Sequence, residues 1–315
     1  MIKLVNVTKY YGRNLGIENV SFEAKENEII GLLGRNGAGK TTTMNIITGY
    51  ISSTEGSVVI DGYDILKNPQ EAKAKIGYLP EKPPIYMDMT VDEYLIFCSE
   101  LKGIDKELIE KHINEICNLV GINEIRKRLC KNLSKGYKQR VGLVQALVGN
   151  PDILILDEPT IGLDPNQIIQ IRELIKAIGK KHTIIISSHI LAEIEQVCER
   201  VIILDNGKIV ASDTLEKLTK SYDNQKCLEL RIKDVDESYI SHLQKAEGVL
   251  SVNAVGTFEK DSFDFIISYE KHCSARENIF NIVAKDNKTI VIMRPKEATL
   301  EDVFLNVTKS NRSDG

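Results

Sequence analysis

The sequence predicts an α/β fold in two parts, a parallel core followed by a small α+β unit. Three observations predict it. A glycine-rich run, Gly34-Arg35-Asn36-Gly37-Ala38-Gly39-Lys40-Thr41, stands between an apolar strand pattern and a helix pattern. Strand-sized apolar runs recur at residues 153–156, 183–187 and 201–204, as buried parallel strands do. Beyond a polar stretch at residues 219–226, the pattern reads β-α-β-β-α-β, the split ferredoxin-like arrangement.

Taken in order, residues 2–7, 17–24 and 58–61 read as short strands separated by turn signals, an antiparallel flank. Residues 29–33 read as a buried strand, and residues 42–48, free of Pro and Gly, as a helix. The loop between them fits GxxxxGKS/T, the P-loop, so the core is that of a P-loop NTPase. Its backbone, from Gly34 through Asn36, Gly37, Ala38 and Gly39, curls to point N–H groups at a polyphosphate, and the helix N-terminus at Thr42 adds positive potential. Lys40 reaches the β/γ-phosphates and Thr41 sets its hydroxyl on Mg²⁺.

Consecutive helices follow between about residues 91 and 128, carried by Val91, Tyr94, Leu95 and Phe97, then Leu108, Ile109, Ile113, Ile116, Leu119 and Val120. They mark a helical subdomain spanning about residues 84–150. The strand at 153–156 ends in two carboxylates. Asp157 is placed to hold Mg²⁺, and Glu158 to polarise a water beside the γ-phosphate. Asn206-Gly207 between residues 201–204 and 209–211 signals a tight hairpin. The division expected is 1–222 for the nucleotide-binding domain and 223–315 for an accessory or regulatory domain. The latter has strands at 227–232, 249–255, 263–268 and 289–293, helices at 239–246 and 275–284, and a last helix at 300–307.

Bulk properties narrow the class. Among 315 residues, 42% are hydrophobic and 27% charged, an ordinary soluble balance, and the formal net charge of -4 offers no footprint for nucleic acid. The N-terminal residues lack the apolar core of a signal peptide, and no apolar run approaches a membrane span. The six cysteines, Cys98, Cys117, Cys130, Cys198, Cys227 and Cys273, show no CxxC spacing and read as reduced thiols of a cytosolic protein.

Upstream of the carboxylate strand, Leu133-Ser134-Lys135-Gly136-Tyr137-Lys138-Gln139-Arg140 resembles the LSGGQ signature of ATP-binding cassette (ABC) ATPases, in an LSKG form. Lys135 replaces a Gly and Tyr137 a Gln of that pattern. Further elements resemble the family in order: Tyr11, with Tyr10 as fallback, as the aromatic that stacks on adenine; Gly77-Tyr78-Leu79-Pro80-Glu81 as the Q-loop, with Glu for Gln; Ile161-Gly162-Leu163-Asp164 as the D-loop; and Ser187-Ser188-His189 as the switch histidine. The likeness covers residues 1 to about 220. Residues 79–95, together with Ala298-Thr299-Leu300-Glu301-Asp302-Val303-Phe304, look like the type 2 exporter subgroup of gliding-motility, sodium-extrusion and drug-resistance ATPases.

The resemblance implies an ATP-hydrolysing motor subunit with Mg-ATP as substrate. In it Lys40, Glu158 and His189 are catalytic, and Thr41, Asp157 and Glu81 face the metal. Ser134 and Gly136 bind the γ-phosphate of a second copy's ATP, and Asp164 couples the two sites of a homodimer. It further implies a separate integral-membrane permease, a place on the cytoplasmic face of the membrane, and export rather than import. The competing reading is a non-transport ABC ATPase acting on a macromolecular complex. Against it, the chain has neither a second cassette nor a long coiled-coil insertion, and its acidic balance gives no phosphate-backbone footprint.

Overall fold

The first two strands, β1 (Ile2–Tyr11) and β2 (Asn14–Ala24), are an antiparallel pair that buries Ile2, Leu4, Val7, Ile17, Val20 and Ala24. Both extend further toward their shared turn than the apolar pattern suggests. The computed structural model describes residues 1–222, 225–270, 273–296 and 299–310. β3 (Ile29–Leu33) is buried at every position and feeds the P-loop and α1 (Lys40–Ile47). β4 (Glu55–Ile60) and β5 (Tyr63–Asp64) complete a flanking sheet in the order β2-β1-β4-β5.

After α2 (Pro69–Ala74) comes β6 (Ile76–Leu79), a parallel edge strand that the sequence reading subsumed in the Q-loop. The helical subdomain holds α3 (Val91–Leu101), α4 (Lys106–Val120) and α5 (Lys135–Leu147). Thr90 and Glu93 close a reciprocal capping box at the start of α3, which fixes where the subdomain's first helix begins. The core resumes with β7 (Ile153–Asp157), α6 (Pro165–Gly179), β8 (Thr183–Ser188), α7 (Leu191–Val197), β9 (Arg200–Asp205) and β10 (Lys208–Thr214).

These strands form a six-stranded sheet in the order β10-β9-β3-β8-β7-β6. All its pairs are parallel except β10 on β9, a hairpin turned by Asn206 and Gly207, both at positive φ. Met44, Ile46 and Ile47 of α1 share one apolar core with Ile17 and Val20 of the flank and with Ile30, Leu32, Ile153 and Ile155 of the main sheet. The helix that carries Lys40 is therefore gripped on two sides. The P-loop sits at the carboxyl end of the central strand, where parallel α/β sheets bind their ligands.

The chain divides into two compact units, Met1–Thr214 and Leu215–Gly315. The division lies upstream of the polar stretch, because α8 (Leu215–Tyr222) is an amphipathic helix that packs on the last helix of the second unit. That unit continues with β11 (Gln225–Lys233), a 3-10 turn at Glu237–Tyr239, α9 (Ile240–Leu243), β12 (Val249–Gly256), β13 (Ser262–Glu270), α10 (Ala275–Lys285), β14 (Thr289–Lys296) and α11 (Leu300–Ser310).

Its sheet runs β12-β13-β11-β14 with every pair antiparallel, the order of a split βαββαβ unit. Leu228, Leu230, Ile232, Phe265 and Ile267 on one sheet face pack with Leu243, Ile279 and Val283 from the helices. The helix expected at 239–246 is shorter than that: a 3-10 turn and α9 replace it, and the chain leaves through Gly248 at positive φ. Asp223 and Asn224 of the polar stretch, and Ala298 of the C-terminal motif, lie outside the described residues.

Candidate nucleotide site

The P-loop turns on Gly37 at φ +83° and Gly39 at φ +104°, conformations that strain any L side chain. Gly39 is tight as well as twisted, since a Cβ there would stand 2.5 Å from Ile17 Cγ2. Gly34 is equally confined: a Cβ would lie 2.6 Å from Leu204 O, and the buried Ala38 packs beside it. The flanking sheet and the β9–β10 hairpin thus set the shape of the loop. Lys40, the first residue of α1, donates from Nζ to Gly34 O at 2.8 Å and lies 4.0 Å from Glu158 Oε1. Burial pushes its ammonium below the usual lysine range, while Glu158 and Asp157 pull it back up.

Asp157 ends β7 and is only 2% exposed. Ser187 Oγ donates to Asp157 Oδ1 at 2.5 Å and accepts from the Glu158 N–H at 2.9 Å, so one hydroxyl positions both carboxylate residues. Glu158 has φ +48°, a strained backbone for a residue with a Cβ. Its Oε2 lies 2.8 Å from His189 Nδ1. The strain falls where the chain must swing a carboxylate across to the end of β8.

A cleft of about 350 Å³ is lined by Tyr11, Asn36, Gly37, Gly39, Lys40, Thr41, Thr42, Glu81 and Glu158, joined by Leu15, Gly16 and Arg35. Tyr11 is exposed, its hydroxyl 3.5 Å from Thr42 Oγ1 and its ring 5.5 Å from Lys9 Nζ. Tyr10, the fallback, does not line the cleft. Leu15 and Gly16 are additions to the sequence-derived set. Their only signal was a place just past the Tyr11–Gly12 turn.

Ser134, Gly136 and Asp164 do not join this cleft. Ser134 caps α5, its Oγ accepting from the Tyr137 N–H at 3.4 Å, and Asp164 caps α6 by accepting from the Gln167 N–H at 2.9 Å. The two caps meet through Gln167, because a Cβ on Gly136 would lie 2.5 Å from Gln167 Oε1. Gly136, Gln167, Tyr137, Arg140, Gln170 and Gly121 enclose a second cavity of about 250 Å³. Arg140 holds it together, donating to Val120 O and to Gln170 Oε1.

The oxygen donors Thr41, Asp157 and Glu81 suit a hard divalent cation. No cluster of three or more His, Cys, Asp or Glu side chains able to cage a metal occurs among the described residues. Oxygen donors of this kind are the ligands Mg²⁺ takes, one or two at a time, with water and substrate phosphates completing its shell.

The ABC transporter family is matched over residues 17–161. The chain is 34% identical to the bacitracin transport ATP-binding protein BcrA of Bacillus licheniformis, over 98% of this chain and 97% of that protein. It is 36% identical to the lantibiotic transport ATP-binding protein SrtF of Streptococcus pyogenes, over 73% of this chain and 100% of that protein. Among solved structures, it resembles a dimeric post-hydrolysis state of the ATP-binding cassette MJ0796 bound to ADP and Pi. That likeness has a TM-score of 0.62 and 28% identity, over 68% of this chain and 99% of that one.

Proposed function

Because the chain belongs to the ATP-hydrolysing subunits of ABC transporters, we propose that its two cavities are the halves of one composite ATP site, completed by a second copy. One observation carries the proposal. Lys40 and Glu158 line one cleft, with His189 hydrogen-bonded to Glu158, whereas Gly136 lines the other, between the two helices that Ser134 and Asp164 cap. A head-to-tail pair of copies sets the signature of each against the P-loop of the other. Each ATP is then held between the Lys40 loop of one copy and the Ser134 cap of its partner.

In that arrangement the P-loop amides and Lys40 neutralise the polyphosphate, and Tyr11 offers its exposed ring to the base. Thr41, Asp157 and Glu81 would hold Mg²⁺, which would supply charge neutralisation at the phosphates. Glu158 accepts the proton of the attacking water, and His189, hydrogen-bonded to it, steadies that carboxylate and faces the γ-phosphate. Closure of the pair on ATP pulls on a permease supplied by a separate chain, and hydrolysis with phosphate release reopens it. The motor works at the cytoplasmic face of the membrane. Relatives named for bacitracin and lantibiotic transport support export as the direction, with antibiotics of that kind as the class of cargo.

Glu158→Gln tests the composite site. Turnover should fall about 10²–10⁴-fold with ATP affinity intact, the scale for loss of a positioned base. With Mg-ATP the variant should elute as a dimer on size exclusion. Normal hydrolysis would remove Glu158 from the chemistry, and a variant that stays monomeric with ATP bound would refute the shared site.

A further inference from the structure

Glu193, in the first turn of α7, is a carboxylate that the site as described does not use, yet it is only 7% exposed. A buried carboxylate is costly unless donors satisfy it. Its Oε2 accepts from Thr160 Oγ1 at 2.5 Å, a charge-assisted length, and from Ser188 Oγ at 3.4 Å. Thr160 and Ser188 are themselves buried. Ser188 Oγ also accepts from the Ile190 N–H at 3.0 Å, which shapes the backbone on the far side of His189.

The placement of these partners is what gives Glu193 a role. Thr160 follows Glu158 by one intervening residue, and Ser188 directly precedes His189. A single buried carboxylate therefore ties the loop leaving β7 to the last residue of β8, beside the 2.8 Å Glu158–His189 contact. Glu158 needs such support, because its positive φ persists only where the surroundings over-determine it. The Ser187 hydroxyl holds its amide from one side, and the Thr160–Glu193 bond anchors the chain that follows.

We infer that Glu193 is a positioning residue for ATP hydrolysis, fixing Glu158 and His189 in register through Thr160 and Ser188. The inference rests on the composite-site reading above. In the full chain, Glu193→Ala should lower kcat about 10- to 100-fold, the cost of slight misplacement of a reacting group, while KM and ATP affinity stay unchanged. Glu193→Gln keeps an oxygen that can accept from both hydroxyls and should recover most of the loss. Thr160→Val should slow turnover alone but add little in the Glu193→Ala background, as expected for partners in one network.

An unchanged kcat in Glu193→Ala would overturn the inference. So would joint loss of affinity and kcat that Gln fails to rescue, the mark of simple fold support. If Glu193→Ala does not fold, Thr160→Val and Ser188→Ala decide by the same criteria. Glu158→Gln is measured alongside. Normal turnover there sinks the base assignment itself, whereas an inactive Glu158→Gln with a fully active Glu193→Ala sinks only the positioning role.

Discussion

Both units are sheets with helices packed on them, but they bury charge for different ends. The first unit buries Lys40, Asp157, Glu158, Thr160, Ser187, Ser188 and Glu193 around one end of its parallel sheet. Their contacts link residues from different strands, and they leave carboxylate oxygens and an ammonium facing a cleft. The second unit buries Asp264, which is closed off by Arg231 in two parallel bonds of 2.7 and 2.8 Å, with Glu259 as a further partner of that arginine. Nothing in that pair is held open for a ligand. Buried charge that neighbours fully satisfy is architecture, and buried charge held by hydroxyls at the edge of a cleft is chemistry.

The largest expected effect separates the two cores. Phe265 is the largest fully buried side chain among the described residues and lies at the centre of the second unit's core. Phe265→Ala should cost about 3–5 kcal/mol of that unit's stability, the usual scale for emptying an aromatic core position. Denaturant unfolding should show an earlier transition for the second unit, with ATP affinity unaltered. A matching loss of affinity would mean that the two cores unfold as one, and the contrast would fail.

Next in size is Lys40→Ala. The phosphates lose the buried cation of the P-loop, so ATP should bind about 10- to 100-fold more weakly, the range for a charged hydrogen bond. Titration with labelled nucleotide measures it, and unfolding of the second unit should not shift. Undiminished affinity would move the phosphate site away from this loop.

What the sequence made legible follows the same divide. The P-loop, the Asp157-Glu158 pair and His189 could be read because local patterns specify them: glycines that must take positive φ, and polar residues placed at the ends of apolar strands. Glu193 and Ser187 could not, since their work depends on hydroxyl contacts between residues some thirty positions apart. That convergence needs the parallel order β3-β8-β7, which strand patterns alone do not give. In the second unit the order of strands was readable and its boundaries were not. The polar stretch at 219–226 looked like a linker, but four of its residues, 219–222, close an amphipathic helix, and hydrophilicity alone does not distinguish a solvated helix face from a loop. The first helix of the βαββαβ pattern was overextended, because the apolar spacing of Tyr239, Leu243 and Ala246 is met by a 3-10 turn as well as by a continuous helix.

The smallest expected effect is the most discriminating. Every P-loop, carboxylate, signature and histidine position lies within Met1–Thr214, and the MJ0796 cassette is matched over 99% of its chain by 68% of this one. A fragment ending at Thr214 should therefore fold and bind Mg-ATP with affinity unchanged from the full chain. A fragment ending at Tyr222 should behave worse although it is longer, because it keeps α8 and removes α11, the helix that α8 packs on. Leu218, buried in the full chain, then loses that cover, and the amphipathic face invites self-association. Nucleotide titration and light scattering on the two fragments compare them directly. Equal behaviour would place α8 with the first unit and return the boundary to the polar stretch, and loss of ATP binding in the shorter fragment would show that the second unit supports the cassette rather than merely accompanying it.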